Sequence, residues 1–109
     1  MADFDLTDEA DEDLFSIALY TDSTWGRKQA KKYAGQLERH FAALAERDAL
    51  EKAVFKHRED FRVSRCQHHY VFFVRDPCAN VLILAVLHEN MDLVARFRER
   101  LQELGMPDE

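Results

Sequence analysis

The sequence has few cysteines, few glycines and prolines, and no long apolar run. Two cysteines, Cys66 and Cys78, are too few for a disulfide framework, so both thiols are expected to be reduced. A membrane helix needs about 18 consecutive apolar residues, and no apolar stretch of the sequence approaches that length. The first residues also lack the basic and apolar regions of a signal peptide. These features predict a cytoplasmic protein without a membrane-spanning segment.

The remaining composition is that of an ordinary globular domain. Of the 109 residues, 47% are hydrophobic and 33% are charged. A chain of this length can bury one core without disulfides or a metal ion. We therefore expect a single domain over residues 1–109.

The charges are distributed unevenly along the chain, whose formal net charge is −6. Residues 1–13 carry seven acidic side chains and no basic one, whereas residues 26–69 carry eleven lysines or arginines and six acids. This polarity indicates either two solvated helix faces or a basic face for an acidic partner. Direct binding to nucleic acid is not expected, because such binding usually requires a clearly basic domain.

The first half of the chain has the apolar periodicity of two helices. Thr7 can cap a helix that stops near Thr24, because the following Trp25-Gly26 pair is typical of a tight break. A second helix is predicted over residues 27–47. Two helices joined by so short a break are expected to pack as an antiparallel hairpin.

Strands are predicted before and after this hairpin. Residues 3–6 alternate between polar and apolar, and residues 61–65, 69–75 and 81–87 are rich in β-branched and aromatic side chains. Residues 76–80 supply the turn before the last strand. Because residues 81–87 are apolar on both faces, they predict a central strand that is covered on both sides.

A final helix should follow the last strand, with Asn90 or Asp92 as its cap, and should end at Gly105 and Pro107. Its apolar side comprises Met91, Val94, Phe97, Leu101 and Leu104.

Residues 48–60 have only weak periodicity, and residues 46–55 are interpreted as an extension of the second helix or an added helical turn. The predicted fold is α+β: a short N-terminal strand, an antiparallel helical hairpin packed on a twisted, mainly antiparallel sheet of about four strands, and a C-terminal helix.

Histidines and Cys66 raise the question of a metal site or a nucleophile. Cys66 and His68 would share one face of a strand, with His69 on the other. Paired ligands at the spacing of structural zinc sites are absent from the sequence, so no metal and no cofactor are predicted. Cys66 has no clear orienting partner for nucleophilic chemistry.

A metal-free ribonuclease would need arginines and histidines that converge on one cleft. Candidates for such a set are Arg62, Arg65, Arg75, His69 and His88. The favoured alternative is that Arg62 and Arg65 are solvent-facing strand residues and that His88 is a hydrogen-bonded strand end. Trp25, at the tip of the hairpin, either folds back onto the core or is an exposed contact residue.

Several stretches match one family in order and spacing: "FDLTDEADEDLFSIALYTDSTWG", "QAKKYAGQLERHFAALAE", "HYVFFVR" and "VLILAVLHENMD". They resemble the ParE branch of the RelE/ParE superfamily, the toxins of bacterial type II toxin–antitoxin modules. The resemblance implies a non-catalytic toxin that binds and inhibits DNA gyrase. It also implies a cognate antitoxin as protein partner, with which toxins of this type often form a hetero-oligomer.

The resemblance further implies that His88, Met91 and Asp92 serve the architecture and target contact, not a metal site. The basic region and the final helix supply further candidates for contact with target or antitoxin. Together the candidates are Trp25, Arg27, Lys31, Arg62, Arg65, His69, His88, Met91, Arg96, Arg98 and Arg100.

Two alternatives remain open within the superfamily. One is a ribosome-dependent mRNA endonuclease of the RelE type, in which Arg62 would match a catalytic arginine. Those relatives also use a late tyrosine or a His-Tyr pair at the C-terminus, and no tyrosine follows Tyr70 here. The other is a toxin fold with altered or lost activity.

Overall fold

Three helices and five strands make up residues 3–106, the part of the chain that the computed structural model describes. In chain order they are β1 (Phe4–Leu6), α1 (Asp8–Trp25), α2 (Arg27–Ala45), β2 (Lys52–Phe55), β3 (Arg58–Cys66), β4 (His69–Arg75), β5 (Val81–His88) and α3 (Leu93–Glu103). The strands form one sheet in the order β1-β5-β4-β3-β2, in which only β1 and β5 are parallel. The predicted α+β fold is confirmed, with five strands instead of about four.

Helices cover both faces of the sheet. On one face, Leu37 and Phe41 of α2 pack with Phe73 and Ile83, and α1 adds Ala10. On the other face, Phe97 and Leu101 of α3 pack with strand residues that include Phe61, Phe72 and Leu84. The prediction that the last strand is central and covered on both sides is confirmed.

The helix boundaries follow local capping chemistry. Thr7 Oγ1 accepts a hydrogen bond from the Ala10 amide at 3.1 Å, which confirms the predicted N-cap of α1. Gly26 ends α1 and starts α2 with a φ of 94°, a conformation that glycine adopts without steric cost. Of the two caps predicted for α3, Asp92 is the one whose side chain accepts from the Ala95 amide. Pro107 lies outside the described residues.

The prediction of helix for residues 46–55 is wrong. Arg47 takes a φ of 57° and ends the helix, and Lys52–Phe55 then pair with β3 as an edge strand. Phe55 is buried because it packs on Phe61 and Phe97. This tertiary burial outweighs the helical propensity of the segment.

The expectation that Cys66 and His68 share a strand face is also wrong. Gln67, with a φ of 57°, and His68 form the turn between β3 and β4. Cys66 therefore pairs with His69 across the ladder, and His68 lies outside both strands.

Candidate functional site

The tip of the helical hairpin projects past the end of the sheet. Helix α1 begins beside Ile83, where the Thr7 amide donates to the Ile83 carbonyl, and Asp13 contacts the Val86 amide. An 18-residue helix is about 27 Å long, whereas the five residue steps from Ile83 to His88 span only about 17 Å. The last turns of α1 therefore extend beyond β5.

The space beneath this overhang is a groove of ≈ 1160 Å³, which we call the tip groove. Apolar and aromatic side chains from both helices and from the loop after β5 line it, among them Ile17, Tyr20, Trp25, Tyr33 and Met91. Polar side chains at the ends of β4 and β5 also line it: His68, His69, His88, Glu89 and Asn90. A concave apolar surface with a few converging polar groups is the usual form of a binding site.

Trp25 is 71% exposed at the mouth of the tip groove. Of its two interpretations, the fold-back onto the core is wrong, because the hairpin tip reaches past the core. Tyr20 and Met91 are exposed at the same groove. Large exposed aromatic side chains of this kind are enriched at energetically dominant positions of protein interfaces.

A histidine pair forms the polar side of the groove. The His69 Nδ1 atom and the Tyr33 hydroxyl oxygen are hydrogen bonded at 2.6 Å. The His69 and His88 rings pack edge to face, with 5.1 Å between their centroids. Burial, with the nearby His88 and His68, lowers the pKa of His69 to about 4. His69 is therefore neutral at pH 7.

His88 is a hydrogen-bonded strand end, as the favoured interpretation held. Its Nδ1 atom accepts from the Asn90 amide at 3.1 Å. Beside it, Glu89 accepts from Arg65 at 2.6 Å and pairs with His68 at 2.9 Å. The hydrogen bond to His68, together with the charge of Arg65, holds the pKa of the Glu89 carboxyl below its usual range. The expectation that Arg65 is solvent-facing is confirmed, since its side chain is more than half exposed.

Arg62 and Arg75 belong to a different cluster. Both guanidinium groups bind the Glu51 carboxylate, and Arg75 also donates to the Leu44 carbonyl at 2.9 Å. These contacts shield most of Arg62, so the expectation of a solvent-facing side chain is wrong. Arg75 ends β4 and His69 begins it, which separates them by about 20 Å along the strand. The arginines and histidines of the candidate ribonuclease set do not converge.

The three arginines of α3 differ in environment. Arg96 is exposed and pairs with Glu99, and the Arg98 guanidinium lies 5.2 Å from the centroid of the Phe55 ring. Arg100 is not part of an exposed surface, contrary to the expectation: its side chain is only 13% exposed and binds Asp13 in a bidentate ion pair. Its position three residues after Phe97, on the apolar side of α3, is the sequence signal that would have indicated this burial.

Arg27 and Lys31, the candidates on α2, are exposed near the hairpin tip. Arg27 reaches back to Asp22 of α1 at 3.7 Å. Both side chains therefore add positive charge near the hairpin tip, but neither lines the tip groove.

Within residues 3–106, no group of three or more histidine, cysteine or acidic side chains is arranged to hold a metal ion. Over the same residues, none of the helices combines the length and apolar character that crossing a membrane requires.

Lowering the pH should destabilise the protein through His69. The unfolded histidine has a pKa near 6.5 and the folded one about 4, so between these values protons bind preferentially to the unfolded chain. The stability is intact above pH 6.5 and falls as the pH drops toward 4, by ~1–2 kcal/mol between pH 7 and pH 5. Urea unfolding at pH 7, 6 and 5 measures the slope.

His69→Gln should flatten this slope relative to the native chain, whereas His57→Gln, at an exposed position, should not. Burial also lowers the pKa of His40, but His40 is present in both the native and the His69→Gln chains. Their difference therefore isolates His69, and equal slopes would contradict the assignment.

A helical hairpin and a C-terminal helix on opposite faces of a five-stranded sheet, with an aromatic groove under the hairpin tip, define a small α+β domain with one candidate binding groove among its described residues. The same fold occurs in a solved structure described as "Chromosomal ParDE TA system from P. aeruginosa". That chain superposes with a TM-score of 0.64 at 17% identity, covering 81% of this chain and 95% of the other. At this identity, the similarity establishes the fold alone.

Sequence similarity identifies the family. Residues 4–93 match the model described as "ParE toxin of type II toxin-antitoxin system, parDE". A curated Toxin ParE from Escherichia coli is 38% identical over 102 residues, which cover 94% of this chain and 99% of the relative. The chain therefore belongs to the ParE family of toxins, and the resemblance noted in its sequence is confirmed.

Proposed function

We propose that this protein inhibits DNA gyrase by binding to it, without catalysing a reaction of its own, and that a cognate antitoxin neutralises it in the cytoplasm. The observation that carries the proposal is the family match over residues 4–93. The 38% identity to a curated ParE toxin along nearly the whole chain supports it.

The state of the charged groups supports a binding function over the ribonuclease alternative. Arg62 and Arg75 are held by Glu51, and Arg65 is held by Glu89. His69 is neutral and hydrogen bonded to Tyr33. Cleavage of RNA by acid–base catalysis requires a base and cationic groups within hydrogen-bond reach of one phosphate. The described side chains offer an aromatic groove instead.

We assign target contact to the tip groove and the exposed side chains around it. Trp25 and Tyr20 present large rigid apolar surfaces, and Arg27 and Lys31 add positive charge nearby. Such a surface suits a partner segment with apolar side chains and an acidic rim. An antitoxin that covers the same surface would neutralise the toxin by direct competition.

A supercoiling assay tests the target directly. Purified protein is added to gyrase, relaxed plasmid and ATP, and the products are examined for loss of supercoiling and for cleaved DNA. Inhibition or trapped double-strand breaks are expected, and addition of the purified antitoxin should reverse them. No effect at about 100 μM of correctly folded protein, a concentration at which even a weak complex forms, would contradict gyrase as the target. Cleavage of translated mRNA in a cell-free reaction would favour the ribonuclease.

Trp25→Ala should weaken the inhibition of gyrase by about tenfold or more, because removal of a central aromatic side chain typically costs at least 1–2 kcal/mol of binding. Trp25 is mostly exposed, so the free energy of unfolding should change little. The inhibitory concentration is measured for each variant in the supercoiling assay.

Leu50→Ala is the matched control, because Leu50 is 93% exposed and does not line the tip groove. It should inhibit like the native chain. Equal inhibition by the native and Trp25→Ala chains would remove Trp25 from the contact surface.

A further inference from the structure

His88 carries one hydrogen-bond donor that the fold does not use. Its Nδ1 atom accepts from the Asn90 amide at 3.1 Å, so the proton of the neutral ring lies on Nε2. Within residues 3–106, the Nε2 atom has no hydrogen-bond partner. The buried side-chain nitrogens that lack a partner in this part of the chain belong to Arg75 and Arg100. The Nε2–H group of His88 is therefore open to the tip groove, which the residue lines.

Neighbouring groups fix the orientation of the His88 ring. The Met91 amide donates to the His88 carbonyl at 3.1 Å, and this tight turn brings the Asn90 amide to the Nδ1 atom. His69 lies directly opposite His88 on the adjacent strand, and its ring packs edge to face with the His88 ring. Tyr33 holds His69 in turn through their hydrogen bond. The donor therefore has a defined direction before a partner binds, which reduces the entropic cost of binding.

The surroundings of this donor favour a carbonyl oxygen over a carboxylate as its acceptor. Glu89 lines the same groove. The hydrogen bond to His68, together with the charge of Arg65, holds the pKa of the Glu89 carboxyl below its usual range, so the group is ionised at pH 7. A second carboxylate would be repelled by this charge. A neutral carbonyl oxygen accepts from an N–H group without that repulsion.

We infer that His88 helps to determine which segment of the target binds, by donating a hydrogen bond from Nε2–H to a backbone carbonyl oxygen of that segment. The inference rests on the proposed assignment of target contact to the tip groove. Carbonyl groups inside a helix or a sheet are already hydrogen bonded, so the segment is an extended or loop stretch with a free carbonyl. Its apolar side chains pack against Trp25 and Met91 and exclude water from the bond.

Two substitutions separate the donor from the rest of the His88 ring. His88→Gln and His88→Leu both remove the Nδ1 atom that accepts from Asn90, but only glutamine places an N–H group near the position of Nε2. His88→Leu should raise the inhibitory concentration in the supercoiling assay about tenfold, because it leaves the carbonyl of the target unpaired. His88→Gln should stay within about threefold of the native chain. His57→Leu, at an exposed position outside the tip groove, should inhibit like the native chain.

Nitrogen-15 NMR of the free native chain tests the position of the proton without any partner. At about pH 8, the neutral imidazole of His88 should carry its proton on Nε2, and a proton on Nδ1 would overturn the inference. Urea unfolding of His88→Gln and His88→Leu verifies that both variants are folded at the assay concentration. A difference in inhibition between them then reports on the donor and not on the amount of folded protein.

Two results of the supercoiling assay would also overturn the inference. Unchanged inhibition by His88→Leu would mean that the side chain makes no contact with the target, and equal losses in both variants would assign the role to Nδ1 and the fold. If the native chain itself does not inhibit gyrase, the proposed target is wrong instead. The affinities of the same three chains for the purified antitoxin, measured by calorimetry, then decide the inference: a loss confined to His88→Leu supports it, and equal affinities overturn it.

Discussion

Replacing Arg100 by methionine should lower the free energy of unfolding by about 3 kcal/mol or more, the usual cost of breaking a buried ion pair from one side. The Asp13 and Arg100 side chains are only 16% and 13% exposed. Without the arginine, the Asp13 carboxylate remains shielded from water and still accepts a hydrogen bond from the Val86 amide at 3.0 Å. The loss is a large fraction of the stability of a small domain.

The ion pair also completes the edge of β5. Strand β1 covers β5 only from Val81 to Ile83. Beyond it, Arg100 donates to the Leu84 carbonyl at 3.0 Å, and Asp13 accepts from the Val86 amide. The pair therefore satisfies the Leu84 carbonyl and the Val86 amide of β5, two backbone groups that a longer β1 would otherwise bind. Because Asp13 belongs to α1 and Arg100 to α3, the same contacts hold both helices against β5. The hydrogen bonds to Asp13, together with the Asp13 charge, raise the pKa of the Arg100 guanidinium above its usual value.

Urea unfolding of the Arg100→Met, Asp13→Leu and double variants gives a double-mutant cycle. The double variant should be more stable than the sum of the single losses predicts, because it leaves no buried charge unpaired. Arg96→Met is the matched control, since Arg96 is exposed on the same helix and should lose less than about 1 kcal/mol. A loss below 1 kcal/mol for Arg100→Met would mean that the pair contributes little to the fold.

The elements with strong local signals were predictable from the sequence. The apolar periodicity of α1 and α2, the Thr7 cap and the two-sided apolar pattern of β5 each depend on residues that are close in the chain. Strand β2 was missed because its only large buried side chain, Phe55, is covered by Phe97 of α3. A contact between residues so far apart leaves no periodic signal in either segment.

The sequence predicted which residues belong to the candidate site, but not the environment of each side chain. Trp25, His69, His88 and Met91 were named from the sequence, and the structure brings them together around the tip groove. Their environments depend on distant contacts. Asp13 and Arg100, for example, are 87 residues apart in the chain, so the burial of Arg100 follows from the docking of α3 against α1 and β5.

Phe97→Ala should cost about 3–5 kcal/mol, the range for truncating a fully buried phenylalanine. Phe97 is completely buried and is the centre of the core on the α3 face of the sheet. Its ring stacks on the Phe72 ring with 4.5 Å between the ring centroids. The centroids of the Phe61 and Phe55 rings lie 5.8 and 6.1 Å away. Truncation removes these contacts together and leaves a cavity that the sheet cannot close.

The loss should be measured by urea unfolding, with amide hydrogen exchange as a second readout. Exchange should accelerate most in α3 and β2, because both rest on Phe97, and less in α2, which packs on the opposite face. Val94→Ala, a partly exposed position on the same helix, should change the stability by less than about 1 kcal/mol. A comparable loss for both variants would show that α3 is held by its exposed side or by Arg100, and not by the aromatic cluster beneath it.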